Sequence, residues 1–217
     1  IAFGAYWTGF RIEAVTLPFV GSMSMGVFSL PITWLWIVGV SNAFNLVDGL
    51  DGLAAGVGTL SCATIFVIGA VNGNLLICLF TAALGGALVG FLLFNFYPAK
   101  IFMGDSGSLF VGYVLATGSL ITSMKSAAAV AMLVPVLAMG VPIMDTLFTV
   151  TRRFIERRSL FSPDRGHLHH RLVDMGLTQR RAVLLLYGLS VVFTFAAILL
   201  STENKVEMGM ALVIVAA

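Results

Sequence analysis

The chain has 217 residues, 59% of them hydrophobic and 10% charged, with a mean hydropathy of +1.03. Soluble domains carry about 25% charged residues, so a water-soluble enzyme, a disordered chain and a disulfide scaffold are excluded. A formal net charge of +2 also excludes a nucleic-acid binder built on bulk charge.

A membrane helix needs about 20 mostly apolar residues to cross a core of about 30 Å, and such windows recur along the chain. The first covers 1–10 and the second 30–44. Between them lie Val15-Thr16-Leu17, Pro18, Gly21 and Gly26, which predict a small hairpin or irregular lid. Further segments cover 53–71, 75–94, 109–124, 128–150 and 182–200, and an eighth opens near 206. None alternates in the manner of a barrel strand. The expected fold is all-α, a polytopic transmembrane bundle of seven to eight segments forming one domain over 1–217. Both ends fall inside apolar sequence, as in a piece of a longer protein. Cys62 and Cys78 sit in apolar runs and read as buried small hydrophobes.

Orientation follows from the basic residues. Eight of the twelve fall between Arg152 and Arg181, so that connection is expected in the cytoplasm. Counting helices back puts 97–106 and 45–52 on the same side. Seven of the ten acidic residues lie at these three connections: Asp48, Asp51, Asp105, Asp145, Glu156, Asp164 and Asp174. The three histidines do too, so any chemistry is expected to face the cytosol.

The first polar cluster is Asn42-Ala-Phe-Asn45-Leu-Val-Asp48-Gly-Leu-Asp51-Gly-Leu. On a helix, Asp48 and Asp51 share a face and Asn45 lies one turn earlier. Two carboxylates and an amide suit a divalent cation or a polar ligand. A solvated turn with Asn and Asp caps is the alternative. The second cluster is Asn95-Phe-Tyr-Pro-Ala-Lys-Ile-Phe102-Met-Gly-Asp105-Ser-Gly-Ser. Ser106 or Ser108 is placed to cap the next helix, whose N-terminus favours an anion. Asp105 is either a bridge to a phosphate through a metal or a plain cap. Phe102 and Met103 stand out as apolar residues without an evident core. The third is Arg165-Gly-His167-Leu-His169-His170-Arg171, suited to gripping phosphate, shuttling protons or binding metal. A positive loop near anionic lipid explains the surrounding arginines but not three histidines in four residues. Asp145, near the end of the sixth segment, is a functional candidate by its depth; a local arginine partner, Arg152 or Arg153, is the alternative.

Together these motifs resemble the polyprenyl-phosphate N-acetylhexosamine-1-phosphate transferases, glycosyltransferase family 4. The likeness runs from Asn42 to Leu172. It implies transfer of a sugar-1-phosphate from a UDP-N-acetylhexosamine to undecaprenyl phosphate, with release of UMP and a need for magnesium, or manganese. It implies Asp105 as principal metal ligand, assisted by Asn45. Asp48, Asp51, Asp105, His169 and His170 become catalytic candidates. Asn42, Asn45, Asn95, Phe102, Arg165, His167, Arg171 and Asp145 become substrate contacts, with Phe102 stacking on uracil. The family's adjacent aspartate pair has no match here and would precede Ile1. The run His-Leu-His-His-Arg-Leu points to the GlcNAc-1-phosphate branch, near the teichoic acid initiators. The alternative branch is the phospho-MurNAc-pentapeptide transferases. Partners expected are both substrates, the lipid bilayer of a bacterial plasma membrane and a second copy of the chain as a homodimer; nucleic acid is not one. An ion-coupled transporter predicts mid-helix carboxylates and two related halves, neither of which this sequence displays. A structural membrane subunit is the remaining rival.

Overall fold

A computed structural model describes residues 1–17, 21–123, 133–157 and 167–201. Nine α-helices occur among them: α1 (Ala2–Trp7), α2 (Ser29–Val47), α3 (Leu53–Val71), α4 (Leu75–Asn95), α5 (Gly104–Ser123), α6 (Leu133–Ala138), α7 (Gly140–Ile155), α8 (Leu168–Asp174) and α9 (Gln179–Ser201). The fold is the expected all-α membrane bundle. Four described stretches are long and apolar enough to cross a membrane: Gly26–Val47, Leu53–Val71, Leu75–Asn95 and Gln179–Ser201. The anticipated hairpin is present as β1 (Ala14–Leu17) paired antiparallel with β2 (Gly21–Ser24), Ala14 opposite Ser24.

Helix α3 is the hub. It is buried along most of its length and packs on α4, α5 and α9. Its small residues allow that closeness: a Cβ on Gly58 would lie 3.0 Å from Leu88, and one on Gly85 of α4 would lie 3.2 Å from Cys62. Both cysteines are free and buried, as their apolar settings predicted. Helix α2 packs on α5 across Gly112, where a Cβ would meet the Ser41 Cα at 2.7 Å. The outer faces of α4 and α9 expose Leu75, Leu79, Leu93, Val192 and Leu199, as helices facing lipid do.

Polar side chains inside the bundle are spent on backbone or on each other. Thr64 of α3 and Thr194 of α9 share a hydrogen bond of 2.8 Å, and the Trp36 indole donates to the Ala116 carbonyl. The sixth apolar segment departs most from expectation. It is broken at Met139 into α6 and α7. The carbonyl of Ala138, at the break, accepts from Ser61 at 2.8 Å, which supplies a partner that the interrupted helix does not. Residues 124–132, which include the start of that segment, the 158–166 stretch with Asp164 and Arg165, and the segment from 206 lie outside the described residues.

Close packing of α2 on α5 makes Gly112 sensitive and Gly86 indifferent. Gly112→Ala should lower stability by about 1–3 kcal/mol through overpacking. Gly86→Ala, with no atom within 4 Å of its Cβ, should leave it unchanged or slightly raised. Thermal unfolding of the detergent-solubilised protein checks both; equal melting shifts would contradict the helix spacing.

Candidate functional site

The turn between α2 and α3 builds the first part of the site. Helix α2 ends at Val47 and Asp48 is its C-cap, so Asp48 and Asp51 occupy a turn instead of the helical face their spacing suggested. The turn closes at Gly52, whose φ of +82° suits glycine and which begins α3. Asp51 is tied down, its Oδ2 accepting from the Ala99 amide at 3.0 Å.

The second part comes from α5. This helix starts at Gly104, five residues before the apolar run, because Asp105 lies in its first turn, where a negative charge complements the helix dipole. The Asn45 amide nitrogen donates to Asp105 Oδ1 at 3.0 Å and to Ser108 Oγ at 2.9 Å. Ser108, fully buried, donates in turn to the Gly104 carbonyl at 3.0 Å. Asn45 therefore meets Asp105 as a donor, joining α2 to α5 and orienting the carboxylate. Burial and, next to it, the Asp105 charge push the Asp48 carboxyl up to about 6. The Asp48 amide donates to the Asn45 carbonyl at 3.2 Å, so Asp48 and Asp105 both adjoin Asn45 and offer the carboxylate oxygens that a hard cation prefers.

That observation tests the implied magnesium. Among the described residues no three His, Cys, Asp or Glu side chains gather for a metal, so a cage made by protein alone does not fit. A hard cation held by Asp105 and Asp48, with water and substrate phosphate completing its shell, does fit.

The loop between α4 and α5 presents Phe102 at 76% exposure. Met103, its neighbour, has a core after all: it packs against buried residues and fills the space above Gly107. Asn95, by contrast, is buried. It donates to the Ile101 carbonyl at 2.9 Å and accepts from the Gly52 amide at 3.1 Å, so both ends of its amide are committed within the protein. It braces the two loops against each other. Arg180 of α9 supports the same loop, donating to the Tyr97 carbonyl at 3.1 Å with its guanidinium 5.5 Å from the Tyr97 ring. No sequence signal singled out Arg180, which lies among arginines read as a lipid-facing basic loop.

The third part is the histidine segment, which forms the short helix α8. Asp145, buried in α7, accepts from the Leu168 amide at 2.6 Å and sits 3.2 Å from His167 Nδ1 and 3.6 Å from His169 Nδ1. Thr149 is 3.3 Å from His167 Nδ1. Asp145 thus pins the start of α8 to α7. The His167 and His169 rings stack at 5.7 Å, and His170 lies 4.3 Å beyond His169. His169 is 1% exposed and neither ring nitrogen has a hydrogen-bond partner among the described residues. Its Nε2 points at Gly49: a Cβ there would lie 2.4 Å away. Only glycine lets the imidazole approach the turn so closely, so the third motif reaches the first through His169.

The structure therefore unites Asn45, Asp48 and Asp105, and brings His169 to the same turn. Asn42 is exposed on α2, donating to the Val38 carbonyl, and lines a cavity of about 690 Å³ together with Ser106. Arg171 is exposed, its guanidinium 5.3 Å from the Phe148 ring. Arg165 lies outside the described residues.

Comparison with known proteins shows the family. Residues 1–123 match the family model described as glycosyl transferase family 4. A probable undecaprenyl-phosphate N-acetylglucosaminyl 1-phosphate transferase of Bacillus subtilis is 41% identical over 91% of this chain and 55% of its own length. A decaprenyl-phosphate N-acetylglucosaminephosphotransferase of Mycolicibacterium smegmatis is 43% identical over 74% of the chain and 44% of its length. A phospho-N-acetylmuramoyl-pentapeptide-transferase of Clostridium perfringens is 33% identical over 85% and 55%. The chain spans about half the length of these curated relatives.

Removing Asp145 should detach α8 from α7. Asp145→Ala strands the buried Leu168 amide, at about 1–3 kcal/mol, and leaves His167 Nδ1 with Thr149 as its partner. Asp145→Asn retains an acceptor for Leu168 and should cost less. Chemical denaturation with hydrogen exchange at 167–172 measures both; equal behaviour of the two variants would contradict the bracing role.

Proposed function

This chain belongs to glycosyl transferase family 4, and on that premise we propose that it carries the site of a GlcNAc-1-phosphate transferase. The substrates are UDP-GlcNAc and a polyprenyl phosphate, undecaprenyl phosphate in the first instance. The site faces the cytoplasm of a bacterial plasma membrane, and the product opens a cell-wall polymer pathway of the teichoic acid type. The observation that carries this reading is the meeting of three separate connections at one end of the bundle. Asn45, Asp48 and Asp105 form one junction, with His169 aimed at Gly49. An exposed Phe102 extends from the loop that leads into α5. Clustering of basic residues in the last of these connections supports the cytoplasmic side.

In the reaction an oxygen of the acceptor phosphate bonds to the sugar-bearing β-phosphorus of the nucleotide sugar. The bond from that phosphorus to the UMP oxygen breaks, and UMP leaves. Magnesium, when bound, would neutralise phosphate charge that otherwise keeps two anions apart. Asp105 and Asp48 would hold it, and Asn45 keeps Asp105 oriented. Phe102 offers a face on which uracil stacks. His169, with His170 and Arg171, supplies donors to phosphate oxygens whose negative charge develops during transfer. The lipid chain needs an apolar path. A groove of about 340 Å³ between α2 and α7 provides one, running from Ile12 and Ile32 to Ala43 and Thr146, next to Asp145.

The primary test is radiolabel transfer from UDP-GlcNAc to undecaprenyl phosphate in membranes carrying the full-length protein. Labelling should require magnesium and be reversed by UMP, and Asp105→Asn should reduce it by about 100-fold or more. Normal turnover by that variant would overturn the metal role. Labelling from UDP-MurNAc-pentapeptide instead would move the protein to the other branch. Phe102→Ala should raise KM for the nucleotide sugar about tenfold, the value of one stacking contact, and leave KM for the lipid unchanged.

A further inference from the structure

The turn that carries Asp48 and Asp51 is held from α9, the helix whose Arg180 also supports the Tyr97 loop. Tyr187 lies midway along α9, in a run that reads as plain membrane span. Its hydroxyl donates to the Gly52 carbonyl at 2.6 Å. The Gly52 amide donates to Asn95 Oδ1 at 3.1 Å. Both polar groups of this one buried glycine are therefore gripped by side chains, one from α9 and one from the end of α4. Space for the tyrosine is made by another glycine: a Cβ on Gly56 would lie 2.0 Å from Tyr187 Cζ and Oη. Gly52 itself has little freedom, since a Cβ there would meet the Phe96 ring at 3.0 Å. Asp51, the preceding residue, is fixed by the Ala99 amide. Asp48 is three residues further back, at the C-cap of α2.

We propose that Tyr187 is a positioning residue for the transfer reaction, acting through Gly52 to set the turn on which Asp48 and Asp51 meet the nucleotide sugar and its cation. The inference rests on the function proposed above. A tyrosine needs a hydrogen-bond partner when buried, and packing alone would also place one here. The two roles separate cleanly. The Gly52 carbonyl also accepts from the Gly56 amide at 2.9 Å, so Tyr187→Phe leaves that acceptor paired and the ring in place. If Tyr187 only packs, Tyr187→Phe changes nothing. If it positions the turn, the hydroxyl matters to catalysis while stability is nearly preserved. A shift of about 1 Å in a catalytic group can cost about 100-fold in rate.

The test uses the full-length protein in membranes and in detergent, with Tyr187→Phe and Gly56→Ala. Gly56→Ala drives the ring out of its seat and disturbs the same contact from the opposite side. For Tyr187→Phe the expected result is normal insertion and melting, and a fall in kcat of about 10- to 100-fold. KM for polyprenyl phosphate should stay within about twofold, and hydrogen exchange should quicken at the amides of 49–53 but not along α9. Gly56→Ala should show the same fall in kcat and faster exchange at 49–53, together with a lowered melting temperature from overpacking against the Tyr187 ring. Unchanged kcat and unchanged exchange in Tyr187→Phe would overturn the proposal while leaving the transferase reading intact. So would a loss of activity that only tracks a loss of folded protein. Absence of transfer by the unsubstituted protein would instead remove the functional reading, and this inference with it.

Discussion

Inside a bilayer every backbone polar group must find its partner within the protein, and this constraint orders the molecule. It confines the chain to helices and pushes irregular backbone to their ends. Where a helix is interrupted within the bundle, at Met139, a side chain from another helix supplies the bond: Ser61 donates to the Ala138 carbonyl. Three polar connections, 48–52, 96–103 and α8, come together at one end of the bundle. Polar backbone can be exposed there, and the proposed site lies there.

Bringing three loops together creates a second problem, since none has a core of its own. Buried polar side chains solve it. Asn95 joins the Gly52 amide to the Ile101 carbonyl, Asn45 joins α2 to Asp105 and Ser108, and Asp145 ties α7 to the start of α8. Each is a short bridge between two segments distant in sequence. A bridge of this type is worth little in net stability, about 0.5–1.5 kcal/mol per hydrogen bond, yet losing one end leaves a buried group unpaired. Such residues therefore fix position more than they add stability.

This division of labour explains why residue type alone sorts the candidates imperfectly. Asn45, Asn95 and Asp145 have the chemistry of ligand contacts, and they lie in the right motifs. Asn95 and Asp145 have turned inward, with their polar atoms engaged by the protein. Asp105 and Phe102, by comparison, are exposed at the same end of the bundle. His169 falls between these groups: it is buried, its nitrogens lack hydrogen-bond partners among the described residues, and it faces the turn at Gly49.

Much was legible in the sequence for physical reasons. Apolar runs of membrane length gave α3 and α4 nearly to the residue, and Val15-Thr16-Leu17 with its glycines gave the hairpin. The three motifs, by resemblance, pointed to the family that the comparisons bear out. The sequence did not reveal the break at Met139, because hydropathy is continuous across 128–150. Nor did it reveal that α5 begins at Gly104, because the cue there is a carboxylate in a first turn and not an apolar repeat. By itself the sequence determined a helical membrane protein with its polar residues gathered at a few connections, since hydropathy and charge act locally along the chain. Only the tertiary structure decided which of those residues meet: that Asn45 reaches Asp105, that His169 approaches Gly49, and that Tyr187 of α9 holds Gly52. Those contacts depend on helix packing between residues 60, 120 and 135 positions apart, and no local pattern encodes them.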